Sequence, residues 1–176
     1  MNIWLRKYGD PILRKVCQPV EKIGGEEKDI FFHMKRILLE KNALGIAAPQ
    51  IGIPRRMLIV RIDGYLLQLA NPVILEKNGR DILTEGCLSI PEIFIKVPRV
   101  KKVKVMGIDE KGKKKMIEIE GILARAIQHE IDHLNGILIV DYATPNKKEK
   151  IKKRLDNLAE HTKMVLRVKS NRSSFI

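Results

Sequence analysis

Residues 128–134 read QHEIDHL, and this stretch decides how the rest of the chain can be organised. Two histidines four positions apart, His129 and His133, lie on one face of an α-helix and can bind the same metal ion. Glu130 lies between them, where a carboxylate can carry protons for a reaction at that metal. The stretch therefore predicts a helix that holds a catalytic metal ion.

A catalytic site of this kind has three protein ligands and one open position, so a third ligand is needed. The pattern HExxHxxGxxH would place it six residues after His133, but that position is Ile139. A downstream glutamate would have to be Glu149 or Glu160, and both lie in a lysine-rich stretch. Cys87 is the better candidate, because its thiolate is a soft donor and the preceding glycine lets the backbone come close to a ligand.

Three separated motifs occur in order along the chain: GIAAPQ at residues 45–50, EGCLS at residues 85–89 and QHEIDHL at residues 128–134. In this order and spacing the sequence resembles the bacterial peptide deformylases, and the similarity begins at the YGDPILRKV segment, residues 8–16. One departure is Ala43, where the family usually has a glycine, and we expect it to affect only the local loop. The resemblance implies removal of the formyl group from the N-terminal formyl-methionine of newly made polypeptides.

The resemblance also implies a cofactor, one divalent metal ion per chain held by Cys87, His129 and His133. We expect Fe²⁺ in the cell, and Zn²⁺, Ni²⁺ or Co²⁺ can take its place in preparations because thiolate and imidazole suit all of them. Such a metal lowers the pKa of a water molecule, so that a hydroxide-like nucleophile exists near neutral pH.

Two further groups complete the implied mechanism. Glu130 would act as general acid and base, and the Gln50 side-chain amide with the Leu88 backbone N–H would stabilise the oxyanion that forms from the formyl oxygen. Glu85 and Gln128 are the natural candidates to orient the ligating histidines through hydrogen bonds, and the sequence leaves open which partner each histidine takes.

The methionine side chain of the substrate requires an apolar slot beside the metal. Arg125 either lies over the mouth of that slot with its aliphatic stem packed or points to solvent, and we hypothesise the first. The peptide is predicted to lie extended beside residues 44–45, adding a strand, so the sequence after methionine should matter little. The predicted substrate contacts are Leu44, Gly45, Ile46, Leu83, Gly86, Ile122 and Arg125.

Composition agrees with one catalytic domain, predicted to span residues 1–168. The chain has 176 residues, of which 44% are apolar, enough to bury a core. Its two cysteines make a disulfide framework improbable. The N-terminus lacks an apolar run typical of a signal peptide, and no stretch is long enough to span a bilayer, so we expect a cytoplasmic protein without membrane contact.

The hydrophobic pattern predicts an α+β fold in which antiparallel sheets wrap around the central HExxH helix. This helix is predicted at residues 122–135 and is apolar on most sides, after a first helix at residues 26–41. Alternating segments separated by Asp-Gly, Asn-Gly and Lys-Gly turns predict strands at residues 57–62, 65–69, 73–75, 100–108 and 116–119.

A final helix is predicted at residues 145–168, followed by a flexible tail at residues 169–176. Residues 147–176 contain ten Lys or Arg and three Asp or Glu, which is +7 of the total net charge of +13. Concentrated positive charge favours a polyanion partner without sequence-specific recognition, and the family resemblance makes that partner the ribosome. A solvated surface helix would show the same charge pattern.

Two other functions compete with deformylation. A basic ribosome- or RNA-associated module with a structural metal site would normally have four ligands, whereas three are found, and its 5% aromatic content gives little base-stacking surface. An ordinary metalloprotease would cleave internal peptide bonds.

Overall fold

The computed structural model describes residues 3–62 and 64–173. The described elements are, in order, α1 Gly25–Glu40, β1 Gly45–Ala47, β2 Met57–Ile62, β3 Tyr65–Asn78, β4 Asp81–Cys87, β5 Ile90–Arg99, β6 Lys102–Ile108, β7 Lys114–Glu120, α2 Gly121–Leu134 and α3 Pro145–Ser173. Short 3₁₀ turns lie at Pro11–Arg14, Ala48–Ile51 and Ile139–Tyr142.

Strands β1, β2, β3, β6 and β7 form one antiparallel five-stranded sheet in the order β1-β2-β3-β6-β7, and β4 pairs with β5 alone. Successive side chains of β2 point to opposite faces of the sheet, so the sheet separates two apolar cores. Leu58 and Val60 belong to the core shared with α2, whereas Met57 and Ile59 belong to the core shared with α1. The predicted α+β architecture around the HExxH helix is confirmed.

A third apolar cluster joins the β4–β5 pair to the chain that follows α2. Ile93, Ile95 and Val97 of β5 are buried there with Leu138 and Ile139. Ile151 of α3 belongs to the same cluster. The β4–β5 pair therefore packs against both the segment that precedes α3 and α3 itself. This attachment fixes the end of β4 close to α2.

The predicted helices agree closely with α1 and α2, whereas several strand predictions were incomplete. Strands β4 and β5 were not predicted, because prolines such as Pro91 and Pro98 argue against a strand interior; an isolated pair has unpaired edges that tolerate them. The segments predicted at 65–69 and 73–75 are one strand, β3, with an irregular register between Ala70 and Val73.

Two smaller expectations concern Ala43 and the C-terminus. The positive φ of the loop before β1 falls on Asn42, at 48°, so Ala43 needs no glycine-like conformation and its methyl group packs against the α1 cluster. Helix α3 continues to Ser173, so residues 169–173 of the predicted tail are helical, and residues 174–176 lie outside the described chain. Among the described residues, the helices are either too short or too polar to cross a bilayer.

Candidate metal centre and active site

Three ligand side chains from two elements converge at one point. His129 and His133 lie one turn apart on α2, and Cys87 is the last residue of β4, where a two-residue turn leads into β5. The donor atoms of the three residues all lie within 4.8 Å of one another, and Cys87 Sγ is 3.2 Å from His133 Nε2. One thiolate and two imidazoles at this spacing fit an Fe²⁺ or Zn²⁺ ion.

The protonation of these groups reflects their proximity. Burial alone would raise the pKa of the Cys87 thiol, but the neighbouring His133 and His129 outweigh it, and the pKa lies well below its usual value. Burial would lower the pKa of His129, but hydrogen bonds to Cys87 and Glu85 raise it well above its usual value. Both shifts favour a negative charge on the sulfur beside positive charge, and a metal cation bound there would supply that positive charge.

Glu85 orients His129 from behind. Its Oε2 is 3.0 Å from His129 Nδ1, which leaves Nε2 to face Cys87, as expected for a carboxylate that holds a ligating imidazole. Arg99 donates to both carboxylate oxygens at 3.0 Å, and Arg125 donates to Oε1 at 2.8 Å. Burial would raise the pKa of Glu85, but His129 and Arg99 lower it to about 2, so the side chain is an ionised acceptor.

Arg99 extends this buried network in a way that the sequence analysis missed. It also donates to Asp132 at 2.6 Å, and Asp132 accepts a hydrogen bond from the Tyr142 hydroxyl at 2.8 Å. A cation placed between two carboxylates links the end of β5 to α2 beside the metal ligands. No local sequence signal marks an arginine at the end of a strand as part of a site.

The expected role of Gln128 is not what its contacts show. Its amide donates to the carbonyls of Val100 and Ala124 and accepts from the Val100 N–H, so it ties α2 to the chain after β5. Gln128 faces away from the histidines because the helix turns by about 100° per residue. His133 Nδ1 is buried without a hydrogen-bond partner among the described residues.

Glu130 lies beside the three ligands and is 4% exposed. Burial raises the pKa of its carboxyl group to about 7, although His129 and His133 act in the opposite direction. Its Oε2 has no hydrogen-bond partner among the described residues, and the backbone of Gly45 lies directly against the carboxylate. A carboxyl group of this pKa can accept or release a proton near neutral pH.

Gln50 reaches the centre from the 3₁₀ turn after β1. Its Oε1 accepts a hydrogen bond from the Ala47 N–H at 2.9 Å, which aims the amide NH₂ at Ser89 Oγ and, at 3.7 Å, at Cys87 Sγ. Leu88 lies at the turn between β4 and β5, next to Cys87. Both predicted oxyanion donors therefore lie beside the metal ligands.

The N-terminal segment supports these two donors and was not anticipated. The Arg6 N–H donates to the Gln50 carbonyl at 2.7 Å, and the Tyr8 N–H donates to the Ser89 carbonyl at 2.9 Å. Between them, the Lys7 ammonium donates to the Leu88 carbonyl at 2.6 Å. One extended segment thus holds the turn that carries Gln50 and the turn that carries Leu88.

The centre opens into a cavity of about 600 Å³. Of the predicted substrate contacts, Leu44, Gly45, Gly86, Ile122 and Arg125 line it.

Two predicted contacts do not line the cavity. Ile46 is fully buried in the α1 cluster because strand alternation turns it away, and Leu83 lies farther along β4, opposite Val97, where it is 45% exposed.

Arg125 is 5% exposed, so it does not point to solvent; besides Glu85, its guanidinium donates to the Val97 carbonyl at 2.9 Å. It lines the cavity with its charge already paired. Lys7, Lys41 and Ala126 also line the cavity and were not predicted.

A partly buried Cys-His-His centre with an adjacent glutamate and an open cavity defines a metal-dependent hydrolase. Comparison with known proteins shows to which family of hydrolases the chain belongs. The family model of polypeptide deformylase matches residues 3–149, and the chain belongs to this family. It is accordingly a metal-dependent enzyme that removes the formyl group from the N-terminus of newly made polypeptides.

Individual relatives agree with this assignment. A peptide deformylase of Halothermothrix orenii is 45% identical over 139 residues, which cover 78% of this chain and 90% of the relative. One of Thermoanaerobacter pseudethanolicus is 44% identical over 140 residues, covering 80% and 88%. The crystal structure of the Thermus thermophilus peptide deformylase superimposes with a TM-score of 0.84 at 36% identity, covering 90% of this chain and 98% of that one.

Proposed function

We propose that Cys87, His129 and His133 hold the catalytic metal ion and that Glu130 carries the protons of deformylation. The observation that supports this most directly is the convergence of the three donor atoms within 4.8 Å, with Cys87, His129 and Glu130 lining the cavity. A divalent ion bound there would supply a Lewis acid and an acidified water molecule.

Glu130 can perform both proton transfers because it is close to the centre without belonging to the ligand set. Buried and with a pKa of about 7, it accepts a proton from the nucleophile and returns it to the departing amine nitrogen. The amine must leave protonated, since an amide anion is too basic to depart. The carboxylate is held in place by the Gly45 backbone on one side.

The oxyanion donors are the Gln50 amide and the Leu88 backbone N–H. As the formyl carbon becomes tetrahedral, its oxygen gains negative charge, and donors already fixed in position stabilise it without reorganisation. Gln50 is fixed by its bond from Ala47, and the Leu88 turn is fixed by Lys7. Loss of one such donor raises the barrier by about 3 kcal/mol.

The test compares the parent enzyme with Glu130→Gln on a formyl-methionyl peptide, measured as amine release after loading with Fe²⁺ or Ni²⁺ without oxygen. We expect one equivalent of metal in both proteins and turnover only in the parent. Glu118→Gln, at an exposed glutamate on β7, is the matched control and should retain turnover. Full activity in Glu130→Gln would refute the role of Glu130.

Wild-type behaviour separates the rival functions. Metal retained at one equivalent without release of amine from formyl-peptides would favour the RNA-associated module with a structural metal, and cleavage of internal peptide bonds would favour an ordinary protease.

We propose Fe²⁺ as the metal in the cell. A thiolate with two imidazoles suits iron and zinc equally, so the proposal rests on the family resemblance together with this donor set. Activity and metal content should be compared after expression and purification without oxygen. Zinc as the dominant metal in protein prepared that way, with activity unaffected by added Fe²⁺, would contradict the proposal.

We also propose that α3 contacts the ribosome and that the enzyme acts in the cytoplasm, where new chains emerge. The family match ends at residue 149, so this part of the proposal rests on charge. Ile151 and Thr162 are buried on the inner side of α3, while Lys148, Lys150 and Lys153 are exposed. Three exposed lysines within two turns match a phosphate backbone.

The triple charge reversal of Lys148, Lys150 and Lys153 to glutamate tests this contact. We expect parent protein to co-sediment with ribosomes at low salt and to be released as salt increases, because phosphate contacts release counterions. The variant should lose co-sedimentation and keep peptide hydrolysis. Equal co-sedimentation of both proteins would exclude α3 as the contact.

A further inference from the structure

Two lysines line the cavity. Lys7 comes from the N-terminal segment and Lys41 directly follows α1, next to Asn42, Ala43 and Leu44, which also line the cavity. Lys41 lies three positions before Leu44, beside which the peptide is predicted to extend, and Lys7 is close enough to Lys41 for the two charges to interact. The cavity lining therefore carries two positive charges from different parts of the chain.

The Lys7 ammonium is only partly satisfied. It has three N–H donors and makes one hydrogen bond among the described residues, 2.6 Å to the Leu88 carbonyl, with no salt bridge. Burial lowers its pKa, and Lys41 lowers it further while Cys87 raises it. Lys41 pairs with its neighbour Glu40 at 2.9 Å, but both side chains are exposed, and such a pair contributes little.

The carboxylates that line the cavity do not neutralise these lysines. Glu85 is hydrogen-bonded to Arg99, Arg125 and His129, and Glu130 lies beside the metal ligands. A carboxylate on a bound ligand would supply the missing anionic partner, and a half-buried ammonium interacts with it more strongly than a fully hydrated one.

We propose that Lys7 and Lys41 form a carboxylate-binding subsite for an acidic side chain at the second or third position of the formyl-methionyl substrate. The inference rests on the proposed function, because it assumes that the methionine lies next to the metal centre. An extended peptide advances by about 3.4 Å per residue, so a peptide beside residues 44–45 brings the residues after methionine past the loop at 41–44, which lines the cavity. The expectation that they matter little then holds for uncharged side chains only.

The test measures kcat/KM for matched peptides that differ only in charge: formyl-Met-Glu-Ser against formyl-Met-Gln-Ser, and formyl-Met-Ala-Glu amide against formyl-Met-Ala-Gln amide. The quantity of interest is the Glu/Gln ratio within each pair. We expect a ratio of about 3–10 for at least one pair at low ionic strength, decreasing as salt screens the interaction.

Variants assign the preference to the two lysines. Lys7→Met and Lys41→Gln should each reduce the ratio, and the double variant should bring it to about 1, while Lys7→Arg should retain most of it. The ratio is the correct measure because Lys7 also holds the Leu88 turn, so its loss can slow every peptide alike. Lys35→Gln is the matched control; it removes one charge from the exposed side of α1 and should leave the ratio unchanged.

A ratio of about 1 for both pairs in the parent enzyme, with the glutamine peptides hydrolysed, would overturn the subsite and leave the deformylase function intact. An equal decrease in Lys35→Gln and Lys7→Met would also overturn it, because the preference would then come from the general positive field of the protein. Absence of hydrolysis of every peptide by metal-loaded protein would instead overturn the proposed function and the subsite with it.

Discussion

Gly45→Ala is expected to displace the general base without touching a metal ligand. An ideal Cβ on Gly45 would lie 2.8 Å from Cγ and 2.9 Å from Cδ of Glu130, and closer still to Oε1. Ordinary van der Waals contact begins at about 3.4 Å, so the carboxylate must move by at least about 0.5 Å. Gly45 does not have a positive φ, so the substitution adds a steric conflict and no backbone strain.

A displacement of this size has a predictable kinetic cost. Misplacing a catalytic group by 1 Å lowers the rate by about 100-fold, so we expect kcat to fall by about 10- to 100-fold, or roughly 1.4 to 2.7 kcal/mol of barrier. Bound metal should remain at one equivalent because Glu130 is not a ligand. The assay is amine release from a formyl-methionyl peptide, with metal content and thermal unfolding measured on the same preparation.

Gly25→Ala is the matched control and should leave kcat unchanged, since in the described part of the chain a Cβ at Gly25 meets nothing within 4 Å beyond its chain neighbours and the backbone of its own helix. If Gly45→Ala acts by displacing Glu130, a shorter side chain at position 130 should relieve part of the steric conflict. The fold-decrease in kcat caused by Glu130→Asp should then be smaller in the Gly45→Ala enzyme than in the parent enzyme. A Gly45→Ala enzyme with full metal content and kcat within about twofold of the parent would show that Gly45 does not position Glu130.

Three other perturbations follow from the buried groups. Arg99→Leu removes the cation that Glu85 and Asp132 share, which leaves Glu85 with Arg125 and Asp132 with only the Tyr142 hydroxyl. The free energy of unfolding in urea titrations should fall by about 3–5 kcal/mol; a loss no larger than that of the exposed Lys96→Leu would contradict this. In metal-free protein, iodoacetamide should label Cys87 well before Cys17, because burial raises the pKa of Cys17 to about 11 while the pKa of Cys87 is lowered. Bound metal should protect Cys87 alone, as measured by mass spectrometry, and equal labelling of the two cysteines would refute this difference in reactivity. Because Glu130 must be deprotonated to act as a base, kcat/KM should decrease as pH falls through the pKa of this group, which is about 7 without metal and is lowered further by a bound metal ion. A flat pH profile over that range would show that another group is the base.

The parts of the site that the sequence predicts are those governed by local geometry. His129, Glu130 and His133 are placed by the helical period, and the apolar stripe of α1 predicts a helix nearly to the residue. Cys87 could be proposed because thiolate chemistry and the EGCLS motif single it out, although nothing local places it beside α2. The assignment of Gln50 and Leu88 depended on family resemblance in the same way.

The parts that the sequence does not predict depend on contacts between distant residues. Lys7 meets the Leu88 carbonyl across 81 positions, and a lysine in an extended N-terminal segment has no periodic pattern that would indicate burial. Arg99 is the last residue of β5, and the prolines of that strand, Pro91 and Pro98, argue against predicting it as a strand. The role expected of Gln128 differs from its contacts because either a histidine or a backbone group can satisfy a side-chain amide on a helix, and only the packing of α2 decides between them.

The N-terminal segment connects two functions that the sequence presents separately. The backbone N–H groups of residues 6 and 8 donate to the carbonyls of Gln50 and Ser89. A single stretch of extended chain therefore sets the spacing between the two turns that carry the oxyanion donors. The same stretch supports α3, because Gly9, with φ of 97°, lies so close to the helix that a methyl group there would be 2.6 Å from Cα of Ala159. The basic helix therefore rests on the segment that positions the catalytic turns, and a change that loosens α3 at Ala159 should lower kcat even on short peptides that never meet a ribosome.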